Sequence, residues 1–167
     1  MQVDGILNAL QNTAIAAAVR GDTPGSEWLF PIVETGHVLA LAVVSGSIAM
    51  VDLRLLGLSL RGSSVARLSR EVLPWTWTAF VLAAIFGTLM FVSKAGTYFH
   101  NFEFRMKFLA LFLAGLNMLV FHFGPFRRVA SWDLRQPPPV AARVAGGLSL
   151  LLWILVIFYG RWVGFTT

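Results

Sequence analysis

Apolar residues fall along the chain in one short periodic segment followed by four long runs. In the first twenty positions Val3, Ile6, Leu7, Leu10, Ala14 and Ala17 recur at helical spacing, with Gln2, Asn8, Gln11 and Asn12 between them. That pattern predicts a short amphipathic helix over 1–20 lying in the plane of a membrane interface. The segment carries Asp4 and no basic residue before Arg20, so it lacks the positive start of a secretory signal. Gly21-Asp22-Thr23-Pro24-Gly25 closes it with turn chemistry.

A helix needs about 20 residues to cross a ~30 Å hydrocarbon core. The four runs predict spans at about 28–53, 73–94, 106–126 and 143–163. The first holds Glu34 and His37 inside it. The second lies between Glu71 and Lys94, 22 residues without a formal charge, with Pro74 at its start, where a missing N–H is tolerated. The third, from Phe108 to Phe126, is broken only by His122. The fourth has 17 uncharged residues from Val144 to Gly160 and is extended by Trp162 and Phe165. Gln136-Pro137-Pro138-Pro139 is a stiff connector leading into it. The fold class is therefore all-α: one domain over 1–167, an integral membrane bundle of four transmembrane helices with an N-terminal interfacial helix.

Composition agrees. Hydrophobic residues make up 57% and charged residues 13% of the 167, with a mean hydropathy of +0.73, whereas soluble domains carry about 25% charged residues. Cysteine is absent, which excludes disulfides, thiolate metal sites and iron–sulfur ligation. The net charge of +5 has its partner in anionic lipid, not nucleic acid, because the basic residues gather in loops beside the spans. Arg54, Arg61, Arg67, Arg70, Arg127, Arg128, Arg135 and Arg143 stand on one side; Arg20, Lys94, Arg105, Lys107 and Arg161 stand on the other. The excess of positive charge puts the two longer loops inside and both termini outside.

Helices in lipid associate through close packing and polar contacts. Small residues at four-residue spacing mark the expected contact faces: Ala79, Ala83 and Gly87; Ala110 and Ala114; Gly36 and Ala40; Ala42 and Gly46; Ala145 and Ser149. Asn117 suits an interhelical hydrogen bond, Asp52 and Arg54 are expected to pair or snorkel at the inner end of the first span, and Lys94 to reach the interface.

An ionisable group within a span is a functional hypothesis by default. His37 and His122 lie in apolar runs where leucine would pack better. Lys107, Leu111, Gly115, Met118 and His122 share one helical face, and Gly115 opens space on it. Glu34 is one turn from His37, where a carboxylate can hold the other ring proton. Without cysteine, histidine is the strong ligand available, so His37, His122 and His100 are the candidate metal ligands and haem b between helices the candidate cofactor. The competing reading has these histidines bonding across helices and nothing more. At ~1.5 Å per residue, His37 and His122 are separated by roughly 12 Å along the normal of a ~30 Å core, which disfavours one shared iron. The alternative is an outer site using His37 and His100, with Arg105 and Lys107 neutralising propionates and His122 serving a second, inner site or none.

Glu34-Thr35-Gly36-His37, followed by a small-residue span ending Asp52-Leu53-Arg54-Leu55-Leu56-Gly57, resembles a family of uncharacterised four-helix bacterial inner-membrane proteins. Phe104-Arg105-Met106-Lys107 through Asn117 to Phe121-His122 belongs to the same resemblance, which covers most of the chain. More distantly, a histidine early in one helix, then a lysine and a histidine bracketing a later one, is similar to the haem-containing membrane protoporphyrinogen oxidases and the copper-resistance D-type membrane proteins. The resemblance implies His37 as a haem ligand, Lys107 and His122 in supporting roles, and a bacterial inner membrane, in which the charge count makes both termini periplasmic. The oxidase pattern has more charge around its pocket than this chain.

Three functions compete. One is a cytochrome b-like electron-transfer subunit between an outer partner and quinone, working as a homo-oligomer or within a larger membrane complex. The second is a haem-dependent membrane oxidase, with Glu34 as a proton acceptor. The third is a cofactor-free anchor or assembly subunit.

Overall fold

The computed structural model describes residues 2–59, 62–134 and 136–167; Arg61 and Arg135, counted above toward the inner side, lie outside the described residues. The regular elements among them are all helical: α1 Gln2–Gln11, α2 Ala14–Arg20, α3 Leu29–Leu55, α4 Val65–Ser93, α5 Ala95–His100, α6 Phe102–Phe123, α7 Val129–Trp132 and α8 Val140–Thr166, with a 3-10 turn at Pro125–Arg128. Four stretches, Leu29–Leu55, Val65–Ser93, Phe102–Trp132 and Val140–Thr166, are long and apolar enough to cross a membrane. The chain is a four-helix multi-pass membrane bundle with both termini at one end, here the terminal end; the opposite one is the loop end.

Helix boundaries follow local chemistry more than charge. The expected single interfacial helix over 1–20 is two helices, because the Thr13 hydroxyl accepts from Ala16 N at 3.3 Å and so starts a new helix. Gly21, at φ +82°, closes α2 in the left-handed conformation that glycine adopts without strain. α1 keeps Val3, Ile6 and Leu10 exposed and packs against α5, while α2 packs against α3 and α4. α4 begins well before Pro74, which lies inside it. Its N-cap is Ser64, whose hydroxyl accepts from Arg67 N, and its first turns carry the Arg67–Glu71 pair at 2.8 Å. α6 starts at the Asn101 cap, whose Oδ1 accepts from Phe104 N at 2.9 Å.

The spans pack in the order α4, α3, α8, α6, and α4 hardly touches α6. Small residues permit the tightest crossings. A Cβ at Gly146 of α8 would lie 3.1 Å from Leu55 Cβ and 3.2 Å from the Asp52 carbonyl oxygen of α3. Ala40, Ala79, Ala83, Ala110, Ala114 and Ala145 are buried in such seams, where dispersion and close backbone approach replace a hydrophobic driving force. The expected Ala42–Gly46 face is not one of them: Ala42 is exposed and nothing lies within 4 Å of a Cβ at Gly46. At the terminal end Phe91 of α4 stacks on Phe104 of α6, centroids 5.5 Å apart, and Tyr98 on Phe104 at 5.6 Å. Nearer the loop end no such stacking joins α4 and α6 among the described residues, and the two hardly meet.

The loop end is tied by Asp133. Its carboxylate accepts from Ser64 Oγ and from the backbone N–H groups of Val65 and Ala66, placing negative charge at the N-terminus of α4, where the helix dipole favours it. Arg54, 4% exposed, donates to the Ser63 carbonyl at 2.7 Å and the Asp133 carbonyl at 2.9 Å. The expected Asp52–Arg54 pair does not form. Residues two apart on a helix do not face each other, and Arg54 turns to the loops while Asp52 turns to the interior.

Candidate intramembrane sites

Two places carry chemistry within the bundle. The first is the seat of His37, on the seam between α3 and α4. Its Nδ1 lies 2.8 Å from the Ala83 carbonyl oxygen. The carbonyl is free to accept because His37 comes at α4 where the small residues Ala83 and Gly87 leave room. A Cβ at Gly87 would lie only 3.0 Å from His37 Cε1 and 3.3 Å from Nδ1. Gly36, beside it, is filled in the same way, since a Cβ there would meet the Phe86 ring at 2.8 Å. The ring is thus locked between backbone and glycine.

Glu34 does not hold His37. The ring partner is the Ala83 carbonyl, and Glu34 is exposed at the terminal end near Tyr98. Burial, and then the Glu34 carboxylate, push the Tyr98 phenol above its ordinary value. Lys107 lies on α6, one span removed from the α3–α4 seam, and its side chain turns to α8. Its stem runs along Gly160 of α8, where a Cβ would come within 3.4 Å of Cε and Nζ. No hydrogen bond or ion pair to Lys107 is found among the described residues. Arg105 is exposed on the first turns of α6. His100 stands apart from His37 in its bonding: its Nε2 lies 3.2 Å from Asp4 Oδ1 of α1, both side chains exposed.

The second place is a cavity of about 240 Å³ near the loop end, walled by all four spans. Leu111, Gly115, Met118 and His122 line it from α6, the face anticipated from their spacing, whereas Lys107 on the same face turns instead to α8. Asp52, 6% exposed, opens on it from α3, and its Oδ2 has no hydrogen-bond partner. Ser149 lines the cavity from α8. Asn117 ties α6 to α8 by donating to the Ala145 carbonyl at 2.9 Å, the interhelical bond expected of it. His122 has its Nδ1 2.9 Å from the Met118 carbonyl of its own helix. His122 lines this cavity and His37 does not, and no group of three metal-ligating side chains gathers among the described residues. Sequence reasoning missed Asp52 as a cavity group, although the two-residue spacing to Arg54 already argued against their pairing.

Residues 23–166 match the family described as Family of unknown function (DUF6644), and the chain belongs to that family. No curated protein and no solved structure matches it. The match agrees with the resemblance to an uncharacterised family and lends no support to the more distant likeness to protoporphyrinogen oxidases or copper-resistance D-type proteins.

Proposed function

We propose that this member of the DUF6644 family is a cytochrome b-like electron-transfer subunit, holding haem b through His37 and exchanging electrons with quinone and with a partner at the terminal end. The observation that carries the reading is the 2.8 Å hydrogen bond between His37 Nδ1 and the Ala83 carbonyl. A carbonyl oxygen only accepts, so Nδ1 holds the ring proton and Nε2 keeps its lone pair. A metal-ligating histidine needs that tautomer, with its second nitrogen fixed by an acceptor. Gly87 and Ala83 supply the fixed orientation, and the unpaired Lys107 supplies the positive charge that a propionate requires inside a membrane. Arg105 is a second cation on the same helix. Haem bound there supplies one-electron chemistry at a potential tuned by ligand and burial.

His37 without His122 is the ligand in this reading, because His122 lines the loop-end cavity and His37 does not. A second reading rests on the same bond: without a cofactor, His37–Ala83 is an interhelical tie and the chain an anchor subunit. The absorption spectrum of the detergent-purified protein separates the two. A Soret band is expected in the wild type and its loss or displacement in His37→Ala. A band unchanged in His37→Ala overturns the ligand assignment, and a colourless, metal-free protein with full native activity overturns the haem reading. Redox cycling by quinol without net substrate conversion distinguishes the electron-transfer role from an oxidase.

A further inference from the structure

The cavity near the loop end has a chemistry of its own. Its walls are mostly apolar, yet a carboxyl that is 6% exposed faces them with Oδ2 unbonded. Unsatisfied buried polar atoms are rare in folded proteins, and each one needs a cause. Arg54 does not provide it, because its guanidinium is committed to the Ser63 and Asp133 carbonyls. Ser149 lines the same cavity from α8, and Asp52 Oδ2 is left without a hydrogen bond.

The other polar groups on the wall sharpen the picture. Asn117 spends its Nδ2 on the Ala145 carbonyl and keeps Oδ1. His122 spends its ring proton on the Met118 carbonyl and keeps the Nε2 lone pair. Ser47 and Thr76 bond each other at 2.8 Å, with the Val44 and Val72 carbonyls of their own helices also in reach. Facing apolar space are three groups able to accept a hydrogen bond: the Asp52 carboxyl, Asn117 Oδ1 and His122 Nε2. Such a set selects a ligand that donates hydrogen bonds and is otherwise apolar.

Size and access narrow the ligand further. A volume of about 240 Å³ falls below the roughly 300–1,000 Å³ of drug-sized pockets and suits a single substituted ring. The opening lies between α4 and α6, the two neighbouring spans that hardly touch. Trp77 and Phe80, edge to face at 5.9 Å and 49% and 38% exposed, stand at this mouth on α4. A tail leaving there passes into the acyl chains.

We propose that this cavity binds the headgroup of a lipid-soluble hydroquinone, with Asp52 Oδ2 accepting one phenolic O–H, the Asn117 and His122 acceptors available to the other, and the tail leaving between α4 and α6. The choice of a hydroquinone rests on the electron-transfer reading above; the cavity and its acceptors do not.

The test is a tryptophan-fluorescence titration of the full chain in lipid nanodiscs, using a decyl-tailed p-hydroquinone and its dimethyl ether, which keeps the shape but donates nothing. The hydroquinone is expected to bind at least tenfold more tightly than the ether. Asp52→Leu, which removes the acceptor and keeps the volume, is expected to weaken it roughly three- to tenfold, the worth of one buried hydrogen bond, and to leave the ether unchanged. Gly115→Leu is the second variant. Nothing lies within 4 Å of a Cβ at Gly115, so the new side chain starts into open space, and it is expected to abolish hydroquinone binding with the helical fold kept and stability no lower than that of the wild type. Equal affinity for ether and hydroquinone overturns the proposal, as does wild-type affinity in both variants. His37→Ala must leave hydroquinone affinity intact. A colourless wild type that still binds hydroquinone through Asp52 defeats the haem reading and leaves this site standing.

Discussion

Gly87→Ala is expected to destabilise the bundle only while His37 is present. The added Cβ would lie 3.0 Å from His37 Cε1 and 3.3 Å from Nδ1, against an optimal carbon contact of about 3.5–4.0 Å. The ring cannot simply retreat, because Nδ1 is tied at 2.8 Å to the carbonyl of Ala83, one turn away on the same helix. Overpacking of this kind costs about 1–3 kcal/mol, and replacing a mid-helix glycine by alanine returns about 1 kcal/mol. The net change in the wild-type background is a loss of about 1 kcal/mol. In a His37→Ala background the obstacle is gone and the helical gain of about 1 kcal/mol remains, so the sign inverts. Reversible unfolding of all four proteins of the cycle in mixed micelles reads the coupling, expected at about 1–3 kcal/mol. If Gly87→Ala shifts stability equally in both backgrounds, within about 0.5 kcal/mol, the glycine does not seat the histidine and the reasoning is wrong.

Asp133→Ala removes the acceptor for the Val65 and Ala66 N–H groups and is expected to cost about 1–2 kcal/mol of stability in the same unfolding assay, with Asp133→Asn losing less. Gly146→Leu forces α3 and α8 apart at a contact whose nearest atoms include the Asp52 carbonyl; a loss of about 2–3 kcal/mol is expected, and an unchanged midpoint would contradict the close crossing. Asn117→Leu forfeits the bond to the Ala145 carbonyl, worth about 1 kcal/mol between membrane helices. Because the chain has no cysteine, single cysteines at Thr167 and Leu58 report topology directly: an impermeant maleimide on intact cells is expected to label Thr167→Cys and spare Leu58→Cys, and the reverse pattern would invert the charge-based orientation.

The spans were legible because a membrane demands length and apolarity, and α3, α4, α6 and α8 meet both. Their faces were less so. In lipid the buried and exposed sides are both apolar, so the amphipathic contrast that marks a core face in water is missing; Ala42 and Gly46 look like a contact stripe and face outward. Boundaries drawn at formal charges were short for the same reason. The Arg67–Glu71 pair is a solvated part of α4, not a break before Pro74. Within the sites, the interhelical role of Asn117 and the shared face of Leu111, Gly115, Met118 and His122 could be read from spacing alone. The partner of His37 could not, because a backbone carbonyl freed by small neighbours leaves no side-chain signature. Asp133, in a loop between helices, gives no hint in sequence that it caps a helix nearly seventy positions away.

The central claim is that His37 is a ligand and not only a tie between helices. It is tested most directly by His37→Gly, which leaves an imidazole-shaped hole beside Gly87 and the Ala83 carbonyl, followed by addition of free imidazole to the purified variant. The Soret band lost or displaced in His37→Gly is expected to return to its wild-type position as imidazole saturates the hole. A spectrum indifferent to imidazole, or one that never changed on removing the histidine, would contradict it.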